Sequence, residues 1–436
     1  MARINLIKPF EGETDEQGYP LIPYGMAADE TMLRIATWNL EWWPYGEPNW
    51  SLWNEFESEL AREAVIGFKD EKIEKTKEYI KAANPQILCL QEIVDVDKMV
   101  ELLTELKYPT IITAATSVQK PGSYGLNGIK VELNTTAEQV YTTKQNEDGS
   151  YEQIKVYEKD GTSKKEPVYE RTISRYLVFA SKFEVERYWL LDFAGNLVYL
   201  PDNAVPSRGV IGVLLKGIPK IGNMIVYNVH LKSNIGSTDS GEEKHYRAYK
   251  NAVKREDAIS YILSDLKQNA GPTEAIGTDV GLDYYAVIAG DFNSSYKNQD
   301  EYPFTYNYEG IKDVKERTFE YLSTLPKRED GKTPSPFLSS AQQKSSYTTV
   351  PDSSIDYDHV MIHYPEGGEL DATKLNVSVK ESERLSSVHA KNLSRKYTID
   401  FNGSQWWWLV PYDTADGTKR ISDHNLVSAN LGNIVS

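Results

Sequence analysis

The sequence predicts a layered α/β sandwich in which residues 33–436 form one domain. Residues 286–290 are apolar or small without alternation, as in a strand that is covered on both faces of a sheet. Several further apolar runs resemble this one and also end in an acid, an amide or a histidine. Segments with apolar residues at helical spacing lie between these runs. Strands interspersed with helices in this way are typical of an α/β sandwich.

Residues 1–32 precede this domain and differ from it in composition. They hold Pro9, Pro20 and Pro23 among glycines and acids with no sustained period, so we predict an extended arm. The elements predicted after the arm are a strand at 33–38, a helix at 52–83, a strand at 87–90, a helix at 95–107, strands at 176–180, 210–215 and 224–231, a helix at 243–268, and strands at 286–290, 359–363, 406–410 and 425–431.

The helices are predicted from apolar spacing and from stop signals. The helix at 52–83 ends at Asn84-Pro85, because the residue before a proline avoids the helical conformation. The helix at 243–268 carries an inner apolar stripe that includes Ile259 and Ile262. Both helices are long enough to cover one face of a sheet.

Residues 116–170 are polar and low in aliphatic residues. Asp148-Gly149 and Asp160-Gly161 separate β-prone runs there, which is a hairpin signal, so we predict a β-hairpin insertion at the rim of the domain. Two further stretches, 296–345 and 364–395, are polar, and no element is assigned within them.

Composition limits the classes of function. The formal net charge of −16 disfavours charge-driven binding to nucleic acid or anionic membrane, although it leaves room for an enzyme that contacts phosphates locally. The single cysteine, Cys89, excludes an intrachain disulfide and a cysteine-based zinc site. No apolar run approaches the roughly 20 residues of a membrane span, and the N-terminus lacks a signal-peptide core. We therefore expect a cytoplasmic protein without a membrane span; the oligomeric state is not predicted.

Polar residues stand where the predicted strands meet the loops. Polar groups at the mouth of a central strand are costly unless something there requires them. Two polar residues that are two positions apart at a strand end share a face, because side chains alternate along an extended chain. The set comprises Asn39, Gln91-Glu92, His230 with Lys232, Asp291 with Asn293, Asp358, and Asp423-His424.

Six strings carry this set, namely TWNLEW (37–42), LCLQEI (88–93), YNVHLKS (227–233), IAGDFNS (288–294), DYDHVMI (356–362) and ISDHNLV (421–427). In this order they resemble the endonuclease/exonuclease/phosphatase superfamily, the deoxyribonuclease I-like proteins. The resemblance covers residues 33–431 apart from the insertion. It implies a four-layer α/β/β/α sandwich of two mixed sheets and a divalent-metal-dependent phosphodiester hydrolase.

The resemblance also implies the metal ligands. Glu92 is the first expected ligand, and Asp423 is a candidate for a second or alternative metal position. Asn39 would hold a metal-bound water or a phosphate oxygen. Mg²⁺ is the expected ion, with Mn²⁺ and Ca²⁺ as alternatives, because Mg²⁺ and Ca²⁺ prefer oxygen ligands.

Two histidines would move protons in this chemistry. The resemblance makes His424 the base that activates water, and a carboxylate on its other nitrogen would fix its tautomer. Asp358 is the expected partner, because the family's acid directly precedes an apolar strand; Asp356 is the competing choice. Asp291 would orient the nucleophile, and Asn293 would orient the phosphate.

His230 matches the general acid at the leaving oxygen. Ser174 stands where the family has the glutamate that orients this histidine, which leaves Glu170 as an alternative. Arg208 matches the family's phosphate-binding arginine, and Lys232 is a further candidate for a phosphate contact.

The resemblance favours an endonuclease that acts on DNA. The first alternative is a phosphoesterase acting on a phospholipid, inositol phosphate or nucleotide, because the same machinery serves all of these esters. The second alternative is an inactive member that acts as a binding scaffold. The run Trp406-Trp407-Trp408 is assigned to packing in preference to a substrate contact.

Overall fold

The computed structural model describes residues 4–18, 24–25, 32–44, 59–115, 132–133, 139–145, 151–158, 176–191, 209–233, 242–267, 280–295, 306–308, 311–314, 316–325, 327, 332, 334–340, 356–365, 376–380, 383, 396–401, 404–409 and 421–433. Only the backbone is described for residues 42, 59–69, 115, 132–133, 139–145, 151–158, 242–250, 280–281, 306–308, 311–314, 376–379, 396–401, 404–409 and 432–433.

Twenty strands and four α-helices are found in these ranges. The strands are β1 (Ile4–Ile7), β2 (Met32–Trp43), β3 (Ile87–Ile93), β4 (Thr110–Ala115), β5 (Glu132–Leu133), β6 (Gln139–Gln145), β7 (Tyr151–Glu158), β8 (Tyr176–Ser181), β9 (Glu184–Leu191), β10 (Val210–Ile218), β11 (Gly222–His230), β12 (Tyr285–Asp291), β13 (Tyr306–Tyr308), β14 (Ile311–Val314), β15 (Leu338–Ser339), β16 (Asp358–His363), β17 (Asn376–Lys380), β18 (Lys396–Phe401), β19 (Ser404–Leu409) and β20 (Leu426–Asn433). The helices are α1 (Glu59–Ala83), α2 (Val96–Glu105), α3 (Glu242–Lys267) and α4 (Thr318–Ser323).

Two mixed sheets form the body of the fold. The first has seven strands in the order β1-β4-β8-β3-β2-β20-β17, and the second has six in the order β15-β16-β12-β11-β10-β9. Each sheet contains one parallel pair among antiparallel neighbours: β2 with β3 in the first sheet, and β11 with β12 in the second. The carboxyl ends of both parallel pairs carry the polar residues singled out from the sequence.

Three apolar clusters show how the layers stack. The middle cluster includes Cys89 and Phe179 of the first sheet and Val226 and Val287 of the second, so the two sheets pack face to face. A second cluster joins the other face of the first sheet to α1 and α2. A third joins the other face of the second sheet to α3 and α4. The fold is therefore an α/β/β/α sandwich of two mixed sheets, as predicted.

Most central elements confirm the sequence analysis. Helix α1 ends at Ala83, one residue before Asn84-Pro85, and its predicted first residues, 52–58, lie outside the described residues. The hairpin predicted around Asp148-Gly149 is present as the antiparallel pair β6 and β7, with β5 on its outer side. The second hairpin signal, Asp160-Gly161, lies outside the described residues.

The sequence analysis missed five strands of the main sheets, β1, β4, β9, β15 and β17. Residues 4–7 of the predicted arm add β1 to one edge of the first sheet, where it pairs with β4. Strands β4, β9 and β17 were not predicted, and β17 lies in a stretch assigned as polar and without elements. The other polar stretch, 296–345, also contains β13, β14, β15 and α4. None of the helices in the described ranges has the length and apolar content needed to cross a bilayer.

Candidate active site

The first sheet brings two kinked strand ends to the site. Strands β2 and β3 lose their register between Asn39 and Trp43, and Glu41 and Glu92 there adopt φ angles of 47° and 60°. A positive φ in a residue other than glycine persists only where the surroundings enforce it. One such support is the ammonium of Lys72, which is fully buried and donates to the Glu41 carbonyl at 3.0 Å. The kinks place Asn39 and Glu92 at the mouth of the first sheet.

The second sheet aligns three acid and histidine side chains by its register. His230 pairs with Asp291 across β11 and β12, and Asp291 pairs with Asp358 across β12 and β16. Gly290 allows this close approach, because a Cβ atom there would lie 1.9 Å from the carbonyl oxygen of Val229. Any larger residue at position 290 would therefore push apart the two strands that present His230 and Asp291.

Asp291 is the hub where the two sheets meet. Its Oδ2 atom accepts a hydrogen bond from Asn39 Nδ2 at 3.0 Å and lies 3.4 Å from His230 Nε2 and 4.0 Å from His424 Nε2. Its Oδ1 atom accepts the backbone N–H of Asn293 at 2.8 Å. The side chain is only 1% exposed, so these contacts replace the water that a carboxylate would otherwise bind. One oxygen thus faces both histidines that the sequence analysis assigned to proton transfer.

His424 and Asp358 form a dyad. His424 Nδ1 donates to Asp358 Oδ2 at 2.7 Å, which leaves Nε2 directed at Asp291 and, at 3.8 Å, at Asp423. Burial alone would lower the pKa of His424. The surrounding charges, of which Asp358 contributes most and Asp423 next, outweigh burial and raise the pKa well above its ordinary value of 6.5. His424 is therefore held in one orientation and made strongly basic.

His230 is the second histidine beside Asp291. Its Nε2 atom is 3.5 Å from Glu92 Oε1 and 3.4 Å from Asp291 Oδ2. These two contacts are ion pairs only when the imidazole is protonated, which is the state that a general acid requires. Ser174 and Glu170, the positions considered for an orienting acid, lie outside the described residues.

The loop after β12 is anchored at several points. Asn293, with a φ of 51°, donates from Nδ2 to the carbonyl of Leu231 at 3.1 Å. Ser295 donates to Asp356, and His359 Nε2 lies 3.0 Å from the Ser294 carbonyl. Asp356, the competing choice for the partner of His424, is thus engaged with this loop instead.

Asn39 makes contacts that favour an orienting role. Its side-chain nitrogen donates to Asp291, and its side-chain oxygen accepts the backbone N–H of Glu41 at 3.1 Å. Ser422, which the sequence analysis missed, donates to the Asn39 carbonyl at 2.6 Å and accepts the N–H of His424 at 3.0 Å. The seryl hydroxyl ties the end of β2 to the loop that carries the dyad. The role of Asn39 at a metal stays a prediction.

A buried amide network behind the site also escaped the sequence analysis. Gln91 donates to Thr37 at 3.1 Å and to Asn228 at 2.9 Å, and so crosses from the first sheet to the second. Asn228 donates in turn to the backbone carbonyls of Leu90 and Val178. Asn228 stands two residues before His230 on the same strand face, which was the signal in the sequence that could have revealed it.

The remaining predicted residues are less central. The Asp423 side chain is 43% exposed, unlike the buried residues around Asp291. Lys232 follows β11, where its carbonyl accepts from Arg255 at 2.9 Å. Arg208 lies outside the described residues. The three tryptophans belong to β19, which pairs with β18 outside the two main sheets, and only their backbone is described.

The donor set suits a hard divalent cation. Ligand atoms of Asp291, Asp358 and His424 lie within 4.8 Å of one another in a buried cluster. Glu92 adds a carboxylate beside His230, and Asp423 adds one beside His424. Oxygen donors of this kind are the ligands that Mg²⁺, Mn²⁺ and Ca²⁺ take in proteins. A cation would also offset the negative charge that several carboxylates accumulate here.

No protein-family model and no curated protein matches this chain. Among solved structures, an endonuclease/exonuclease/phosphatase from Beutenbergia cavernae is 13% identical, with 92% of this chain and 72% of that chain covered and a TM-score of 0.43. The chain resembles the endonuclease/exonuclease/phosphatase structures.

Two further structures give values in the same range. A truncated TDP2 from Caenorhabditis elegans is 12% identical, covering 92% of this chain and 97% of that chain with a TM-score of 0.38. A mannosyl-6-phosphatase from Bacteroides thetaiotaomicron is 12% identical, covering 92% and 99% with a TM-score of 0.39. A likeness this distant carries no inference about the reaction, so the function is argued from the site.

Proposed function

We propose that this protein is a divalent-metal-dependent phosphodiesterase and that DNA is its substrate. The observation that carries the proposal is the placement of two histidines beside one oxygen of a buried carboxylate: His230 Nε2 at 3.4 Å and His424 Nε2 at 4.0 Å from Asp291 Oδ2. Phosphodiester hydrolysis requires a base for the attacking water and an acid for the leaving oxygen. A bound cation would supply the positive charge that offsets the charge developing on the phosphoryl oxygens.

The chain's own residues divide the remaining work. Asp358 accepts the Nδ1 proton of His424, so Nε2 is the nitrogen that takes the proton from water. Asp291 lies beside that nitrogen and orients the water for attack. His230 passes a proton to the leaving oxygen. Asn293, held by its contacts to Asp291 and Leu231, would orient the phosphate.

Glu92, Asp423 and Asn39 are the residues that would hold the cation. Glu92 is 9% exposed and sits at a kinked strand end, whereas Asp423 is more open. The preference for DNA rests on the six sequence strings, and phospholipid, inositol phosphate and nucleotide esters are the competing substrates. An inactive scaffold is disfavoured, because binding alone does not require a His424–Asp358 dyad aimed at a second buried acid.

The substrate panel is the direct test of this proposal. We expect turnover of supercoiled plasmid that disappears in chelator and returns with Mg²⁺ or Mn²⁺. The panel comprises plasmid, single-stranded DNA, RNA, phospholipid and inositol phosphates, each with Mg²⁺, with Mn²⁺ and with chelator. Full turnover by protein verified to be metal-free would refute the metal requirement. Turnover of a lipid or inositol phosphate without plasmid cleavage would replace DNA by that substrate.

Salt dependence tests how the substrate is held. With a net charge of −16, the chain should contact DNA through a few local cations, of which Lys232 and Arg208 are the candidates. Each phosphate neutralised contributes a slope of about −0.9 to log affinity against log salt, so two contacts predict a slope near −2. Binding of a short duplex is measured from about 50 to 200 mM salt in Ca²⁺ under conditions without turnover. A slope several times steeper would contradict local binding.

A further inference from the structure

A buried ion pair lies behind the loop that leaves β11. Arg255 of α3 is fully buried and donates to Glu316 through Nε at 2.8 Å and through Nη2 at 2.6 Å. Glu316 also accepts from the hydroxyl of Thr318 at 2.6 Å. Burial would raise the pKa of Glu316, but the Arg255 charge and these hydrogen bonds lower it, so the pair is ionised. A two-pronged contact of this kind fixes both side chains in one geometry.

The pair is bonded to one of the two loops that present catalytic candidates, the loops after β11 and β12. Arg255 Nη1 donates to the carbonyl of Lys232 at 2.9 Å, two residues after His230. The ion pair is therefore bound to the end of β11.

The same two loops are also joined to each other. The N–H of Leu231 donates to the carbonyl of Asp291 at 2.8 Å, and Asn293 donates to the carbonyl of Leu231 at 3.1 Å. The N–H and carbonyl of Leu231 are thus held by the loop after β12, and the carbonyl of Lys232 is held by Arg255. This arrangement fixes the direction in which the chain leaves His230.

A second ion pair on the same elements provides a comparison. It joins Glu256, which follows Arg255 in sequence, to Arg317, which follows Glu316. Arg317 Nη2 lies 3.5 Å from Glu256 Oε2. Its arginine is 53% exposed and packs on the ring of Tyr321 at the surface. A pair with one exposed partner is screened by solvent and contributes about 0 to 1 kcal/mol. The described contacts of Arg317 and Glu256 do not include either loop.

We infer that Arg255 and Glu316 are positioning residues, which hold His230 against Glu92 and Asp291 through the Lys232 carbonyl. The inference rests on the proposed function for its kinetic consequences, though not for its structural ones. Packing alone does not require an ion pair here, because replacing a buried pair with apolar residues of similar volume is often neutral or stabilising. The bond from Arg255 to the loop after His230 gives the pair a role that apolar residues cannot replace.

The test separates positioning from stability by comparing four variants: Arg255→Met, Arg255→Lys, the double variant Arg255→Met with Glu316→Leu, and the surface control Arg317→Met. Unfolding midpoints, kcat and KM are measured with an alkyl phosphodiester and with a p-nitrophenyl phosphodiester. We expect the single Met variant to lose stability, because it leaves Glu316 charged and buried, and the double variant to regain it.

We expect the double variant to keep its defect in catalysis. Its kcat on the alkyl ester should fall on the order of tenfold to a hundredfold, as for a misplaced catalytic group, with KM changed less than about twofold. The p-nitrophenyl ester should lose much less, since its leaving group needs little help from an acid. Arg255→Lys should lie between the double variant and the native protein, because lysine retains the charge but not the fork of donors.

Several results would overturn the inference. They are native kcat in the refolded double variant, an equal loss for both leaving groups, a defect confined to KM, or the same loss in Arg317→Met. If the double variant does not fold, Arg255→Lys is judged by the same criteria.

An NMR readout keeps the inference distinct from the proposed function. If the native protein hydrolyses no phosphoester, the proposed function is refuted. The chemical shift of the His230 imidazole signal at fixed pH still tests the positioning role in that case. We expect that signal, identified with His230→Gln, to move in Arg255→Lys and in the double variant and to stay in Arg317→Met. An unmoved signal in both buried-site variants would refute the role.

Discussion

Replacing Asp358 with asparagine is expected to lower kcat on the order of ten-thousandfold, the scale known for the buried acid of a His–Asp pair in other hydrolases. The carboxylate accepts the Nδ1 proton of His424 at 2.7 Å and so leaves Nε2 to take the proton from water. An asparagine amide at this distance would present its N–H to Nδ1 and favour the opposite tautomer. The fold should tolerate the change, because aspartate and asparagine have nearly the same shape. Single-turnover kinetics together with an unfolding curve would check both expectations.

Asp356→Asn is the matched control for this change. Asp356 is as buried as Asp358 and only two residues away, but it accepts from Ser295 and not from His424. Its loss should slow the reaction far less, by less than about tenfold, since the dyad stays intact. A larger effect at Asp356 than at Asp358 would show that the wrong carboxylate has been assigned to His424.

The pH profile should change in a defined direction. The nearby acids raise the pKa of His424 well above 6.5, and Asp358 is the largest of these charged contributors. A base acts only when deprotonated, so activity rises as pH passes the pKa of His424. Removing the charge of Asp358 lowers that pKa, and the acidic limb of kcat/KM should move to lower pH in Asp358→Asn. An unmoved limb would mean that another group sets it.

Stability should follow the same linkage in chelator. A histidine whose pKa is raised by folding stabilises the protein fully below its unfolded value, near 6.5, and loses that contribution as pH rises through the folded pKa. The difference in unfolding midpoint between the native protein and Asp358→Asn should therefore be larger near pH 6 than near pH 9.

The sequence predicted several fully buried strands, although β4, which is buried at residues 110–114, was missed. Strands β3 and β12 are buried at every position, so their apolar runs are continuous and stand out from the surrounding chain. Strands β1 and β9 lie at sheet edges and are only partly buried, with polar residues at several positions. Their weak patterns resemble those of loops, and they become strands because a neighbouring strand offers a row of hydrogen-bonding groups.

The sequence predicted the site residues that lie next to predicted strands. Asn39, Glu92, His230 and Asp291 stand at the ends of apolar runs, Asp358 and His424 stand before apolar runs, and the structure gathers all six. The supporting contacts were not predictable, because they join residues of unremarkable context. Arg255 sits in a helix with many charges, and Glu316 lies 61 residues further along in a stretch assigned as polar. Only the packing of α3 against the second sheet reveals that they meet.

Replacing His230 with alanine is expected to have a large effect that depends on the leaving group. With an alkoxide leaving group, kcat should fall on the order of a hundredfold or more, because the departing oxygen needs a proton. With p-nitrophenolate, which departs without one, the loss should be much smaller. His363→Gln is the control. His363 is equally buried, but it lies at the end of β16 away from Asp358 and contacts the carbonyls of Ser335 and Leu282.

The two leaving groups separate an acid from a residue that only maintains the site's shape. A structural defect would slow both substrates alike, as His363→Gln should if it loosens β16. The His230 side chain is 3% exposed and lies within 3.5 Å of both Glu92 and Asp291. Its removal takes away the group between these two carboxylates, so their mutual repulsion increases. This repulsion should weaken substrate binding in His230→Ala, and a higher Mg²⁺ concentration should recover part of that binding. It should not change how the rate depends on the leaving group. Equal losses for both substrates at saturating Mg²⁺ would place His230 among the residues that shape the site and leave the proton donor to be found elsewhere.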